Sequence, residues 1–405
     1  MNPEIYRKDF PILNRKLNGK PVIYLDSACV ALKPVQVIDA MDDYYRNFPG
    51  CGGRSVHKIS TQVTIKCDEA REKIGRLINA ESEKEMVFCR NATEGINTVA
   101  RGFGLKKGDI VILTDKEHNS NLVPWHRLRD EIGIKILIAE SKKDNTFDME
   151  LYKKLLSRKP KLISFYHSSN LDGYTLPAKE IISAAHDSGA KVMLDGAQSV
   201  PHMEIDVRKL GVDFLAFSVH KMCGPSGVGV LYGKYDLLKN VTPLITGGEN
   251  VANTTYESSA LLPPPKLFEG GLQNYAGIIG AGAAADYIKR VGLKNIEEHE
   301  HALNGILTRS LSELEDIELI GPADPGLRGG IYSFNIRSMQ PHDVAMILDE
   351  SANIMLRSGM QCVHSWYNAR GINGSARASF YFYNTETEIK ALAENIKKLV
   401  KDFCG

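Results

Sequence analysis

Residues 191–233 read KVMLDGAQSVPHMEIDVRKLGVDFLAFSVHKMCGPSGVGVLYG, and three apolar runs punctuate them. VMLD ends in Asp195, DFLAFS ends in Ser218, and VGVLYG follows a Gly/Pro turn. Continuous apolar runs of this length bounded by turn residues read as buried strands. Lys221 is lodged between the second and third runs, although lysine is rarely buried without a partner. Working outward, EMVFCR, DIVILTD, IKILIAES and PKLISFYHSS read as further strands. TEGINTVARGFG, SNLVPWHRLRDEIG, MELYKKLLSR and AKEIISAAHDSG read as the helices between them. Such alternation predicts an α/β fold, a mostly parallel sheet with helices on both faces. Ligands of such sheets bind at the carboxyl ends of the strands.

The remaining sequence bounds the answer. The 405 residues fit one large α/β domain with a smaller appendage. We expect a large domain over 21–288 and a small α+β domain made of 1–20 and 289–405, the latter containing GGIYSFNI, HDVAMILDES, ARASFYFY and a long final helix. Residues 242–265 read as irregular. Fifty basic residues against 49 acidic give no strong attraction to nucleic acid or an anionic membrane. The most apolar window, Tyr275 to Ala285, is shorter than the ~20 residues of a membrane span. The opening MNPEIYRKDF lacks the apolar core of a signal peptide. Together with seven cysteines, an odd number, this predicts a cytoplasmic protein with reduced thiols. No CxxC or HExxH zinc spacing occurs.

Polar residues cluster where the predicted strands end. Asp195 is followed by Gln198, and Ser218 by His220 and Lys221. Ala92 and Thr93 open a helix whose free N–H groups suit a phosphate, and His118 closes another strand. Singly, Asp195 and Thr93 read as helix caps, His118 as a core histidine and Lys221 as a snorkelling side chain. Jointly they suit pyridoxal phosphate. That cofactor needs a lysine amine for its imine, a carboxylate at its ring nitrogen, a phosphate cup and a flat group over the ring.

The same stretch closely resembles the lysine segment of class V aminotransferase-fold enzymes, in particular the group II, SufS-like cysteine desulfurases. IYLDSA, VHKIS, NATEGINTVA, EHNSNLVPWH, HSSNLDG, FEGG, LRSGMQC and ARASFYFYNT fall in the order of that family. The resemblance implies a fold-type I homodimer with Lys221 as imine lysine and base. It implies His118 on the ring as an acid/base, Asp195 at the ring nitrogen, Gln198 at the phenolic oxygen, and Thr93, Ser218 and His220 at the phosphate. Asn170 and Arg377 would hold the substrate carboxylate, with Arg357 also on the substrate side. Cys362 would accept the sulfur of L-cysteine as a persulfide, leaving alanine, for delivery to an acceptor or iron–sulfur scaffold protein. Arg357 and His364 are expected beside Cys362, favouring its thiolate.

The sequence departs from the family pattern in several places. Gly53 stands where a histidine is usual, Leu272 and Ala92 where threonines are usual. Cys29, Cys51 and Cys223 lie in stretches that border the family's active site. Each reads as a compact replacement for a small residue. With Cys362 they also raise a second expectation, an iron–sulfur or soft-metal site or a persulfide relay. Cys67 and Cys89 read as core and Cys404 as a tail residue. His57 and His167 lie in stretches that flank the site, so a supporting role there is open. The rival readings are selenocysteine lyase or aminotransferase chemistry on the same scaffold, or a metallocluster-bearing binding protein without turnover.

Overall fold

The computed structural model describes residues 1–404 and contains seven strands in one sheet: β1 (Met86–Cys89), β2 (Ile110–Thr114), β3 (Lys135–Ala139), β4 (Leu162–Tyr166), β5 (Lys191–Asp195), β6 (Phe214–Ser218) and β7 (Gly229–Gly233). Their order is β1-β7-β6-β5-β4-β2-β3. Every pairing is parallel except those of β7, which runs antiparallel to β1 and β6. Every residue of β4, β6 and β7 is buried. Burial on both faces explains why their sequences are continuous apolar runs without alternation. The expected α/β class and mostly parallel sheet are therefore present.

The connections between strands hold α3 (Ala92–Gly102), α4 (Asn119–Ile132), α5 (Met149–Leu156) and α6 (Ala178–Asp187). On one side of the molecule α7 (Tyr275–Val291) packs along α1 (Val35–Asn47) and α2 (Lys58–Leu77). His57 accepts from the Ser60 amide at 3.3 Å, capping α2.

Residues 242–265, expected to be irregular, contain a hairpin of β8 (Val251–Thr254) and β9 (Ser259–Leu261). Its residues are mostly exposed, so they lack the apolar alternation that marks a half-buried strand.

A second sheet, β10 (Ile317–Ile320), β11 (Ile331–Ile336), β12 (Arg357–Gly359) and β13 (Ser375–Ser379), is antiparallel in the order β10-β11-β13-β12. Its core joins Phe334, Ala376 and Ala378 to Leu303 and Leu307 of α8 (Leu293–Leu311), Leu348 of α9 (Pro341–Ala352) and Leu392 and Ile396 of α10 (Glu386–Cys404). The N-terminal stretch does not follow the expected split at residue 20. Phe10 and Leu13 sit in the core of the larger sheet, whereas Leu25 sits in the smaller. The cause is backbone pairing: Ile23–Tyr24 runs parallel to Ile354–Met355. Among the described residues no helix is long and apolar enough to cross a membrane, and all seven cysteines are free thiols.

Candidate active site

A pocket of about 250 Å³ opens where the strand-end turns of the large sheet meet β12 and β13. Its floor is polar and deeply buried. β5 delivers Asp195, 6% exposed, whose Oδ1 accepts from the Ala197 amide at 2.9 Å. Burial raises its pKa above the usual carboxylate range, only partly offset by that amide and by Lys221. After β6 a short 3₁₀ turn, Val219–Lys221, swings Lys221 into the same pocket. Burial lowers the Lys221 pKa, and Arg377 adds to the effect, while Asp195 opposes it. The lysine is thus half-buried in a pocket it shares with a buried carboxylate, a setting that lowers its pKa.

The wall beside Lys221 is the start of α3. Asn91 caps this helix, its Oδ1 accepting from the Glu94 amide at 3.0 Å. The Ala92 amide donates to Ser218 Oγ at 2.9 Å, and Thr93 Oγ1 lies 2.7 Å from Ser120 Oγ. His220 completes this side, its pKa lowered to about 4 by burial and then by Lys221 and Lys33. β7 passes directly behind the helix start. A Cβ on Gly229 would lie 2.4 Å from Asn91 Cα, so only glycine permits this approach.

His118 caps α4, with Nδ1 accepting from the Ser120 amide at 3.0 Å. Burial lowers its pKa to about 3, and the charges of Lys221, Arg377 and His364 push the same way, so the ring is neutral at pH 7. Gln198 donates from Nε2 to the Ala28 carbonyl at 2.7 Å and leaves a buried Oε1 without a partner.

Opposite this floor, Arg377 on β13 is buried with Nη1 donating to the Asn170 carbonyl at 2.9 Å and Nη2 pairing with Asp26 at 3.2 Å. Its Nε has no partner. Asn170 Nδ2 donates to the Gln361 carbonyl at 2.7 Å, and the Asn119 amide donates to the Cys362 carbonyl at 2.7 Å. Gln361 and Cys362 both have left-handed backbone, φ 49° and 59°, which presents Cys362 at the pocket wall.

Arg357 lines the pocket with Cys362, and its Nη1 donates to Cys29 Sγ at 3.2 Å; His364 Nδ1 lies 3.0 Å from Nδ2 of Asn119, the residue whose amide reaches the Cys362 carbonyl. One expectation needs correction: the four cysteines fail to converge within the chain. Cys29 and Cys362 line the pocket, whereas Cys223 is fully buried in the main core. Cys51 lies 3.8 Å from the Tyr275 hydroxyl, outside the pocket. Among the described residues no group of three or more His, Cys, Asp or Glu is arranged to hold a metal.

The motifs had not singled out Asn91, Tyr166 and Ser120, which also line the pocket. Nor had they flagged Glu117, whose fully buried carboxyl accepts from Asn121 Nδ2 at 2.7 Å and from the Tyr166 amide at 3.2 Å. Burial raises its pKa to about 8, against the hydrogen bonds from Thr114 and Asn121. A buried neutral carboxyl beside His118 leaves no trace in a residue list that counts glutamate as charged.

The donor set fits pyridoxal phosphate. A buried carboxylate awaits a cationic ring nitrogen, an amine makes no side-chain hydrogen bond, and a buried amide oxygen stands unpartnered near the same floor. The start of α3 supplies an anion site.

Comparison with known proteins gives consistent findings. The aminotransferase class-V family pattern matches residues 23–392. A probable cysteine desulfurase of Halalkalibacterium halodurans is 43% identical, covering 100% of this chain and 99% of its own. The apo structure of a cysteine desulfurase from Thermococcus onnurineus NA1 superposes with a TM-score of 0.94 at 38% identity, covering 99% of both chains. The S-sulfonic acid form of the Escherichia coli cysteine desulfurase CsdA gives 0.91 at 31% identity, covering 100% of this chain and 99% of its own.

Proposed function

Because the chain belongs to the aminotransferase class-V family, we propose that its strand-end pocket turns over L-cysteine with Cys362 as the sulfur acceptor. The chain is a pyridoxal-phosphate-dependent cysteine desulfurase. The single observation that supports the assignment of Cys362 is its place on the wall of the pocket that also holds Lys221 and Arg377.

When bound, pyridoxal phosphate would supply an imine-forming carbonyl and an electron-withdrawing ring for the substrate Cα. The protein does the rest. Asp195 holds positive charge at the ring nitrogen, and the α3 start with Ser218 and His220 binds the phosphate. Arg377 orients the substrate carboxylate, and its unpartnered Nε is the open donor for that contact. Lys221, whose pKa burial lowers, moves the proton at the substrate Cα. Neutral His118, with Nδ1 held by the Ser120 amide, keeps its ring proton on Nε2 and serves as a donor to the pocket it lines. Cys362 Sγ, as thiolate, attacks the substrate sulfur; the substrate C–S bond breaks, and the departing carbon skeleton takes up a proton and leaves as alanine. The enzyme keeps the sulfur as Cys362–S–SH, and no external oxidant is needed.

The working unit in this reading is a homodimer in the cytoplasm that passes its sulfur to an acceptor or scaffold protein. Exposed Leu272, Leu244 and Ile245, grouped around Phe268, support a covered interface there. The test is Cys362→Ala with L-cysteine and a reductant. Alanine formation is expected to vanish while the bound cofactor's absorbance is retained; alanine formed at the normal rate would remove Cys362 from the role.

A further inference from the structure

Cys29 and Cys362 both line the pocket that holds Lys221. The remaining thiols are placed differently. Burial pushes Cys67 up to about 12 and raises Cys89 and Cys223 further, which leaves them inert thiols. Cys51 and Cys404 lie outside the pocket, Cys404 Sγ contacting the Arg337 carbonyl.

Cys29 is held in a defined place. Its amide donates to the Asp26 carbonyl at 3.1 Å, and the neighbouring Ala28 amide donates to Ser379 Oγ at 3.0 Å. Arg357, on the strand that leads into the Cys362 turn, donates Nη1–H to Cys29 Sγ at 3.2 Å. Anionic sulfur accepts such a charge-assisted bond more strongly than neutral sulfur does. The pocket also presents two unpartnered polar atoms on side chains more than nine-tenths buried, Arg377 Nε and Gln361 Oε1. Both atoms belong to residues that line the same pocket as the two thiols.

We propose that Cys29 is a second sulfur-carrying residue of this active site, taking the sulfane sulfur from Cys362 and freeing Cys362 for another turnover. The proposal rests on Cys362 being the residue that first receives the substrate's sulfur. In the transfer, the Cys29 thiolate attacks the outer sulfur of Cys362–S–SH, the existing S–S bond breaks, and Cys362 departs as thiolate. The proton given up by Cys29 returns to Cys362. One persulfide is lost and one formed, so no oxidant or reductant enters. Arg357 then donates to the Cys29 persulfide, whose S–H proton is released to solvent.

The test is a burst experiment on the cofactor-loaded protein with excess L-cysteine and neither reductant nor acceptor. Alanine is counted per chain, and alkylated tryptic peptides locate the added sulfur. The wild type is expected to give two alanines per chain, with one sulfur on the Cys29 peptide and one on the Cys362 peptide. Both Cys29→Ala and Cys29→Ser are expected to halve the burst and leave sulfur on Cys362 alone; retained cofactor absorbance shows that the variants are folded. A wild-type burst of one alanine, or a second sulfur stacked on Cys362, overturns the relay and leaves the assignment of Cys362 standing. A burst that survives Cys362→Ala instead overturns that assignment, and sulfur on Cys29 in that variant shows direct attack by Cys29.

Discussion

Lys116→Met is expected to unfold the protein more easily and to spoil the pocket at the same time. Lys116 and Asp172 form a fully buried ion pair at 2.6 Å. Lys116 lies in the turn just ahead of His118, and Asp172 just beyond Asn170, so the pair joins two loops that line the pocket. At an effective dielectric of 20 the attraction across this distance is about 6 kcal/mol, much of it offset by desolvation. Removing the ammonium leaves a buried carboxylate whose other contact is the Tyr174 amide at 3.1 Å. A loss of about 3–5 kcal/mol follows. For a chain of 405 residues, that is a fall in melting temperature of about 5 °C. Asp172→Asn should cost a similar amount, softened because Lys116 Nζ keeps the Asn145 carbonyl at 2.7 Å. The double variant should cost less than the sum, with a coupling of about 2–3 kcal/mol. Denaturant unfolding of all four proteins measures the cycle, and KM for L-cysteine should rise in the single variants as Asn170 loses its support. Single losses below about 1 kcal/mol that simply add would refute the reasoning.

Two further outcomes follow from the same geometry. His167 is buried with Nδ1 unpartnered, and burial lowers its pKa to about 4. Between pH 6.5 and 4 the unfolded chain therefore binds a proton at this histidine that the folded chain does not, and stability falls as the pH falls. The full window is worth about 3 kcal/mol, so His167→Gln should flatten the acid limb of a stability–pH curve by about 1.4 kcal/mol per pH unit; an unchanged slope in denaturant melts would count against it. Gly229→Ala places a methyl against the Asn91 backbone and should cost about 1–3 kcal/mol of stability. It should also weaken cofactor retention, read from absorbance after dialysis, since the start of α3 must move; full retention and a normal melt would contradict the clash.

Much of this site was legible because the strands of a parallel sheet are continuous apolar runs, and a polar residue at the end of such a run marks a strand end. Asp195, Ser218, Lys221 and His118 all announce themselves in that way. Side-chain direction is a different matter. That Arg357 reaches Cys29 depends on how β12 pairs with β13 and on where Leu25–Cys29 crosses the smaller sheet, neither of which a local window contains. Cys223 follows Lys221 closely in sequence yet turns into the core with φ +62°. The hairpin of β8 and β9 escaped because its exposed residues carry no apolar alternation. The N-terminal split failed for a related reason: two residues of parallel pairing with Ile354–Met355 decide which core Leu25 enters.

The segment bearing Cys362 is moored to the large sheet's loops through two main-chain oxygens, those of Gln361 and Cys362, gripped by Asn170 Nδ2 and the Asn119 amide. An attachment made to carbonyls is indifferent to which side chains the tethered residues carry. Mutational drift at Met360 can therefore retune what surrounds the thiol without casting it adrift, whereas change at Asn170, or at Gln361 whose Nε2 donates to the Gly359 and Ser375 carbonyls at 3.1 Å, would loosen the whole turn.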